Sequence, residues 1–131
     1  MSVLVFGEPP QLAGESVEAL VAESFICAGE LVSSANAIFI KSRGRWYRIV
    51  LDAGTVHWKE QFNQPQPLSV PENDWSYPHR NLSSELGLSE AILSALEVQA
   101  EGPAVRVEFA FSNGRRLVLF NGNDSTSYHV A

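Results

Sequence analysis

The sequence is poor in cysteine, in basic residues and in long apolar runs, and each shortage excludes a class of protein. The 131 residues include one cysteine, Cys27, which excludes an internal disulfide scaffold and a zinc ribbon. The chain has nine Lys and Arg residues and fifteen Asp and Glu residues, so its net charge is −6. Because a duplex-binding protein needs a basic surface that releases counterions, we expect no nucleic-acid partner.

The most apolar stretch, residues 19–28, contains Glu23 and is too short to cross a bilayer. Residues 1–6 lack the basic leader of a signal peptide. We therefore expect no membrane partner and a cytoplasmic location. Hydrophobic residues make up 45% of the chain, which is enough to build a core for a single domain over residues 1–131.

Signatures of catalysis and of metal binding are also missing. His57, His79 and His129 are far apart in sequence and form no His-x-His or His-Glu-x-x-His pair. The chain has no Gly-x-Ser-x-Gly nucleophile elbow and no glycine-rich phosphate loop. We therefore expect no metal, no cofactor and no enzymatic activity.

Residues 11–31 contain apolar positions at the spacing of one helical stripe, with Glu23 off the stripe. These positions are Val17, Leu20, Val21, Phe25 and Ala28. The Ala, Leu and Glu content also favours a helix, whereas Phe25 and Ile26 favour a strand. The pattern predicts a helix that ends near Gly29, with a strand as the alternative.

Three runs rich in β-branched and aromatic residues, 37–41, 45–51 and 55–59, are separated by turns that contain glycine. They predict a three-stranded antiparallel meander. In its middle strand one face is entirely apolar, and we expect this face to point to the core. Its residues are Tyr47, Ile49 and Leu51.

A second hairpin is predicted where residues 104–111 and 115–120 flank Asn113-Gly114. A two-residue turn there pairs core residues across the strands, Phe109 with Val118 and Val107 with Phe120. Leu117 and Leu119 then lie on the opposite face and need cover from a helix, a loop or a partner.

Residues 61–81 hold four of the seven prolines and predict a long loop between the two hairpin halves. Short helical turns are predicted from Ser83 to Gly87 and from Glu90 to Leu96. The expected architecture is therefore α+β. It combines an antiparallel twisted sheet of about five to seven strands with one or two helices packed on it.

The loop carries the candidate binding residues. Trp75 and Tyr77 are aromatic anchors of the kind that dominate protein interfaces, and Glu72 and Asp74 beside them suit a partner with a basic surface. These four residues predict a partner-binding site for another protein.

Two stretches carry a family resemblance. They are Gly44-Arg45-Trp46-Tyr47-Arg48-Ile49, with Asp52-Ala53-Gly54 after it, and Phe111-Ser112-Asn113-Gly114-Arg115-Arg116-Leu117. In these hairpin signatures and in its acidity the chain resembles the small cytoplasmic immunity proteins that accompany bacterial toxins. The resemblance implies a stoichiometric inhibitor that masks a toxin surface, and it assigns no binding residues.

Two other functions remain open from the sequence. One is a small-ligand-binding or enzymatic β-rich domain, with a pocket under the loop 62–80 lined by His57, His79, Tyr47 or Trp75. The other is a homo-oligomeric domain, in its simplest form a homodimer that buries Leu117 and Leu119.

Overall fold

Residues 3–131, described by a computed structural model, form two β-sheets that share one core. The larger sheet contains β1 (Leu4–Phe6), β2 (Ala19–Cys27), β3 (Glu30–Ser42), β4 (Arg45–Asp52), β5 (Thr55–Gln61), β6 (Leu68–Val70), β7 (Trp75–Tyr77) and β8 (His79–Asn81). The smaller sheet contains β9 (Leu93–Glu101), β10 (Ala104–Phe111), β11 (Arg116–Gly122) and β12 (Ser125–Val130). The helical elements described are α1 (Ser83–Leu86) and 3₁₀ turns at Pro71–Asn73 and Leu88–Glu90.

The larger sheet has the order β1-β5-β4-β3-β2-β7-β6, and β8 pairs with β2 beside β7. Its pairs are antiparallel except for β1, which runs parallel to β5. The smaller sheet is the antiparallel meander β12-β11-β10-β9. Within residues 3–131, no helix is long and apolar enough to cross a membrane.

The core fills the space between the sheets with alternating residues from both. The larger sheet contributes Leu20, Ala22, Ala35, Ile38, Ile40, Ile49, Leu51, Val56 and Trp58. The smaller sheet contributes Leu93, Val105, Val107, Phe109, Phe111, Leu117 and Leu119. Leu82, Leu86 and Leu88, from α1 and the turns beside it, also join this core.

Buried polar groups join the sheets along one side, where β12 lies against β3. The hydroxyl oxygens of Ser33 and Ser34 accept hydrogen bonds from the backbone N–H groups of Thr126 (3.1 Å) and Tyr128 (3.2 Å). The side chain of Thr126 in turn donates to the Leu51 carbonyl at 3.2 Å. Since buried polar groups are costly when unpaired, these bonds fix how the two sheets meet.

The predicted meander is confirmed as β3, β4 and β5. Its turns at Arg43-Gly44 and Ala53-Gly54 have positive φ at both residues, as a two-residue hairpin turn requires. Ile49 and Leu51 are buried in the core, and Tyr47 packs against it.

The predicted α+β class is wrong, and so is the predicted sheet of about five to seven strands. Residues 3–131 hold twelve strands in two sheets and one helix of four residues. The helix expected in residues 11–31 is mainly strand β2. Leu20 and Ala22 alternate into the core, while Val21 and Glu23 lie on the outer face. The outer face of β2 also carries apolar residues, so hydrophobicity does not alternate clearly along the strand. The apolar positions therefore also fit the spacing of a helix.

The helix expected from Glu90 to Leu96 is also wrong, since β9 begins at Leu93. The predicted loop 61–81 instead contains three short strands, β6 to β8, at the edge of the larger sheet. Its prolines lie outside these strands, as expected for residues that cannot donate to a ladder. The helical turn from Ser83 to Gly87 is confirmed as α1, and Gly87 ends it with a positive φ.

The register of the second hairpin differs from the prediction by one residue. Gly114 has φ +85°, and the turn is three residues long, so Phe109 pairs with Leu117 rather than with Val118. A shift of one residue exchanges the two faces of a strand. Leu117 and Leu119 are therefore buried in the core, and Phe120 is exposed. The predicted surface patch of Leu117 and Leu119 is wrong.

The observed register makes opposite predictions for neighbouring residues of β11. Leu119→Ala should lower the free energy of unfolding by about 2–5 kcal/mol, because it leaves a cavity in the core. Phe120→Ser should lower it by less than about 1 kcal/mol, since Phe120 is outside the core. Urea denaturation measures both, and a larger loss for Phe120→Ser would contradict this register.

Candidate functional site

The four residues predicted to bind a partner lie in the hairpin of β6 and β7. Trp75 and Tyr77 are on β7, and Glu72 and Asp74 are in the turn that precedes it. The backbone N–H of Ala28 donates to the Asp74 carbonyl at 2.9 Å, which ties this turn to the end of β2. The structure therefore brings the predicted residues together on an ordered edge of the larger sheet.

The strand register places the two aromatic rings on the face of the larger sheet that points away from the core. Trp75 is opposite Cys27, and His79 is opposite Glu23, with no shift between these pairs. Directly opposed residues share a face, and Glu23 lies on the side opposite the buried Ala22. We call this side the outer face of the larger sheet.

Trp75 and Tyr77 flank a third aromatic ring, that of Phe25 on β2. The Phe25 and Tyr77 rings are stacked with centroids 5.0 Å apart, and the Trp75 ring meets Phe25 edge-on at 6.2 Å. Leu68, opposite Tyr77 on β6, is 58% exposed, and Trp75 is 39% exposed. We call Phe25, Leu68, Trp75 and Tyr77 the aromatic patch.

Two members of the aromatic patch, Phe25 and Leu68, are not among the binding residues that the sequence predicts. The helical spacing places Phe25 on a core-facing stripe, and Leu68 falls in a segment predicted to be a loop. Alternation in residues 19–27, with Phe25 on the side of Glu23, was the signal that could have found it.

The acidic turn beside the patch carries free negative charge. Glu72 and Asp74 are exposed, and neither forms an ion pair with another residue in the range 3–131. Asp74 has φ +56°, so its backbone turns sharply into β7. The patch is therefore apolar at its centre and acidic at one end.

The residues expected to line a pocket under the loop do not converge. His57 and His79 lie on the outer face but on strands four places apart, which is about 19 Å at the usual strand spacing. Tyr47 packs against the core on the other side of the sheet. Trp75, the fourth of these residues, lies on β7, near the opposite edge of the larger sheet from His57.

His79 has a structural partner instead. Its Nε2 lies 3.0 Å from Oε1 of Glu23, and the Asn36 amide donates to the other oxygen of Glu23 at 3.3 Å. The His79 ring is tilted against Phe39, with centroids 5.6 Å apart. These contacts explain how Glu23 is accommodated in a strand of mostly apolar residues.

The largest cleft described, of about 780 Å³, lies between α1, the residues after it and residues 16–18. Its lining includes five serines and two glutamates but no histidine or cysteine, so no serine there has an imidazole base beside it. Within residues 3–131, no group of three or more His, Cys, Asp or Glu side chains is placed to hold a metal ion.

Ion pairs engage six of the nine basic residues. The paired ones are Lys41, Arg43, Arg45, Arg80, Arg106 and Arg116. The hydrogen bond from Arg43 lowers the pKa of the Glu15 carboxyl below its ordinary value of 4.5. Among residues 3–131, Arg48, Lys59 and Arg115 have no ion-pair partner.

Comparisons of the chain with protein-family models, with curated proteins and with solved structures find no significant match. The site's geometry and chemistry are therefore the basis for assigning its function.

The Glu15–Arg43 pair predicts a pH dependence. Since the native pKa of Glu15 is lowered, the pair stabilises the fold above pH 4.5, and this contribution disappears as the pH falls through the native pKa. Arg43→Ala should raise the pKa of Glu15 in an NMR titration. The stability difference between Arg43→Ala and the parent should shrink in acid, and a difference that grows below pH 4.5 would contradict this assignment.

The close approach of Gly7 to β5 leads to a test of how β1 is held against that strand. A Cβ at Gly7 would lie 2.1 Å from the Trp58 carbonyl oxygen, so Gly7→Ala should displace β1 and separate Phe6 from the His57 ring that it stacks on. Gly14→Ala is the matched control, because Gly14 also has a positive φ but its Cβ would meet nothing within 4 Å. Hydrogen exchange of the β1 amides should accelerate in Gly7→Ala alone, and equal exchange in both variants would refute the contact.

Proposed function

We propose that the protein is a non-enzymatic protein-binding module that binds its partner through the aromatic patch and the acidic turn. The observation that carries this proposal is the 39% exposure of Trp75, a large aromatic side chain held against Phe25 on an outer sheet face. Tryptophan and tyrosine are the side chains most enriched among residues that dominate binding energy.

The patch is ordered before it binds. The rings of Phe25 and Tyr77 are stacked, and β7 is paired on both sides, with β2 and with β6. Side chains that are already fixed lose little conformational entropy on association, so more of the contact energy remains as affinity. Such a fixed surface suits the recognition of one partner better than a mobile loop would.

The charge of the turn defines the chemistry of the partner. Glu72 and Asp74 lie at one end of the patch and form no ion pair within residues 3–131, and the whole chain has a net charge of −6. A complementary surface has an apolar centre and Lys or Arg side chains at its rim. Opposite charges also accelerate encounter, as expected for an inhibitor that must capture its target quickly.

An immunity or inhibitor protein that masks a basic surface of its target is the form of this function that the sequence resemblance implies. A cytoplasmic location is part of the same proposal, and cell fractionation tests it. The homodimer interface predicted at Leu117 and Leu119 cannot form, because both side chains are buried in the core.

The proposal predicts that Trp75→Ala combined with Glu72→Ala weakens partner capture and leaves the fold intact. Both side chains lie outside the two hydrophobic clusters of the protein, so the melting temperature should fall by less than about 4 °C. The measurement is a pull-down from extract of the native host with quantitative mass spectrometry. Proteins retained by the parent should be lost from the double variant.

Phe62→Ala is the matched control, because Phe62 is a 97% exposed aromatic outside the patch, and it should capture as the parent does. Glu72→Lys combined with Asp74→Lys gives an independent test in the exposed turn, where no core contact is altered. Equal capture by the parent and by the charge-reversed variant would refute the role of the acidic turn in binding. A large fall in melting temperature for the Trp75 variant would show that its ring is structural.

A further inference from the structure

A second surface of the larger sheet places two positive charges side by side. Arg48 on β4 and Lys59 on β5 are directly opposite each other in the antiparallel register. Opposed residues have Cβ atoms about 5 Å apart, and like charges at this distance lower the stability of a sheet. Arg48 is half-buried, between Phe39 on one side and Lys59 on the other.

No carboxylate within residues 3–131 forms an ion pair with either cation. Glu8 and Glu60 line a neighbouring cleft together with Lys59; Glu60 is paired with Arg45 at 3.6 Å, and the Glu8 carboxylate lies more than 4.0 Å from the Lys59 ammonium. Most basic residues of this acidic chain are paired, so two unpaired ones on opposed positions are an exception. An anion bound between them would relieve their repulsion.

The two cations form one end of a cleft of about 410 Å³, whose lining also includes Val50, Asp52 and His57. The His57 ring is stacked on Phe6 at 5.0 Å and only 11° from parallel. The middle of the cleft therefore offers an aliphatic side chain and a flat ring, to which an apolar or planar group can pack.

Hydrogen bonds hold the His57 ring in place. The Thr55 hydroxyl donates its hydrogen to the Asp52 carbonyl at 2.5 Å, so at the 2.7 Å contact it accepts from Nε2 of His57. The Nε2–H group is thereby fixed as a donor, and the ring orientation is set before any ligand arrives.

Asp52 lies at the other end of the cleft. It is four residues from Arg48 along β4, about 13 Å, which exceeds the screening length of about 8 Å at physiological salt. Its exposed carboxylate therefore leaves the positive end intact, and it can accept a hydrogen bond from an amino group. The cleft has a defined polarity, from cationic through apolar to acidic.

We propose that this cleft binds a small ligand in which an anionic phosphate or carboxylate group is carried on a planar ring. The anion lies between Arg48 and Lys59, and the ring packs over Val50 and beside His57. A nucleotide and an aryl phosphate share this chemistry. The site is separate from the aromatic patch, because it lies on β4 and β5 rather than on β2, β6 and β7.

The length of the charged surface favours a small ligand over a nucleic-acid strand. Binding a strand requires a track of cations that neutralise successive phosphates, whereas here two cations stand together and Asp52 follows them. The net charge of −6 opposes a polyanion further.

The test is an NMR titration of the full-length ¹⁵N-labelled protein with three probes: adenosine monophosphate, phenyl phosphate and inorganic phosphate. At least one ring-bearing probe should cause saturable shifts of the amides of Arg48, Val50, His57 and Lys59. Inorganic phosphate should bind more weakly at the same place. Tighter binding of adenosine monophosphate than of phenyl phosphate identifies a nucleotide, and the reverse identifies an aryl acid.

Arg48→Ala should weaken binding by roughly tenfold or more, the usual effect of removing a charged hydrogen bond. Lys59→Gln should also weaken it, while its melting temperature stays equal to that of the parent or rises, because it removes one charge of a repulsive cross-strand pair. Arg115→Ala is the matched control, since Arg115 is an unpaired cation in the β10–β11 turn.

Each contrary result overturns a specific part of the proposal. Absence of saturable shifts with all three probes refutes ligand binding in this cleft. Unchanged binding in Arg48→Ala, or an equal loss in Arg115→Ala, shows non-specific charge attraction. Inorganic phosphate binding as tightly as both ring-bearing probes refutes the role of the ring. A lowered melting temperature in Lys59→Gln overturns the repulsion between Arg48 and Lys59.

Discussion

Burial of one face of each sheet in a shared core is the constraint on which the rest of the structure depends. A strand alternates its side chains between two faces, so the core takes every second residue and leaves the others on the outer face. The buried Ile49 and Leu51 therefore imply that Arg48 and Val50 face outwards. Any function carried by the central strands must reside on these outward residues or at the strand ends.

The outer face of the larger sheet combines two different surfaces. Near β6 and β7 it is aromatic and bordered by acid, and near β4 and β5 it is cationic. Between them lies a small second cluster built from Ala37, Phe39 and Trp46, which is buried although it is outside the main core. The cluster therefore separates the two surfaces with packed apolar side chains.

Local patterns predicted the turns well and the faces of the strands less well. Glycine-containing turns located β3 to β5, and the alternation in residues 45–51 identified the correct core face. The register at Asn113-Gly114 could not be obtained locally, because a two-residue and a three-residue turn fit the same letters. The candidate residues Trp75 and Tyr77 were found from their type, but their neighbour Phe25 depends on a long-range pairing of β2 with β7. Likewise, the opposition of Arg48 and Lys59 emerges only when β4 and β5 are in register.

The hydroxyls of Ser33 and Ser34 have a consequence for how the protein behaves at high concentration. They accept hydrogen bonds from the outward N–H groups of Thr126 and Tyr128 on β12, so these two groups cannot pair with a further strand. The opposite margin, β9, carries Glu97 and Glu101, and charged side chains on an edge strand disfavour pairing with a strand of another molecule. Both margins of the smaller sheet thus hinder the addition of a further strand.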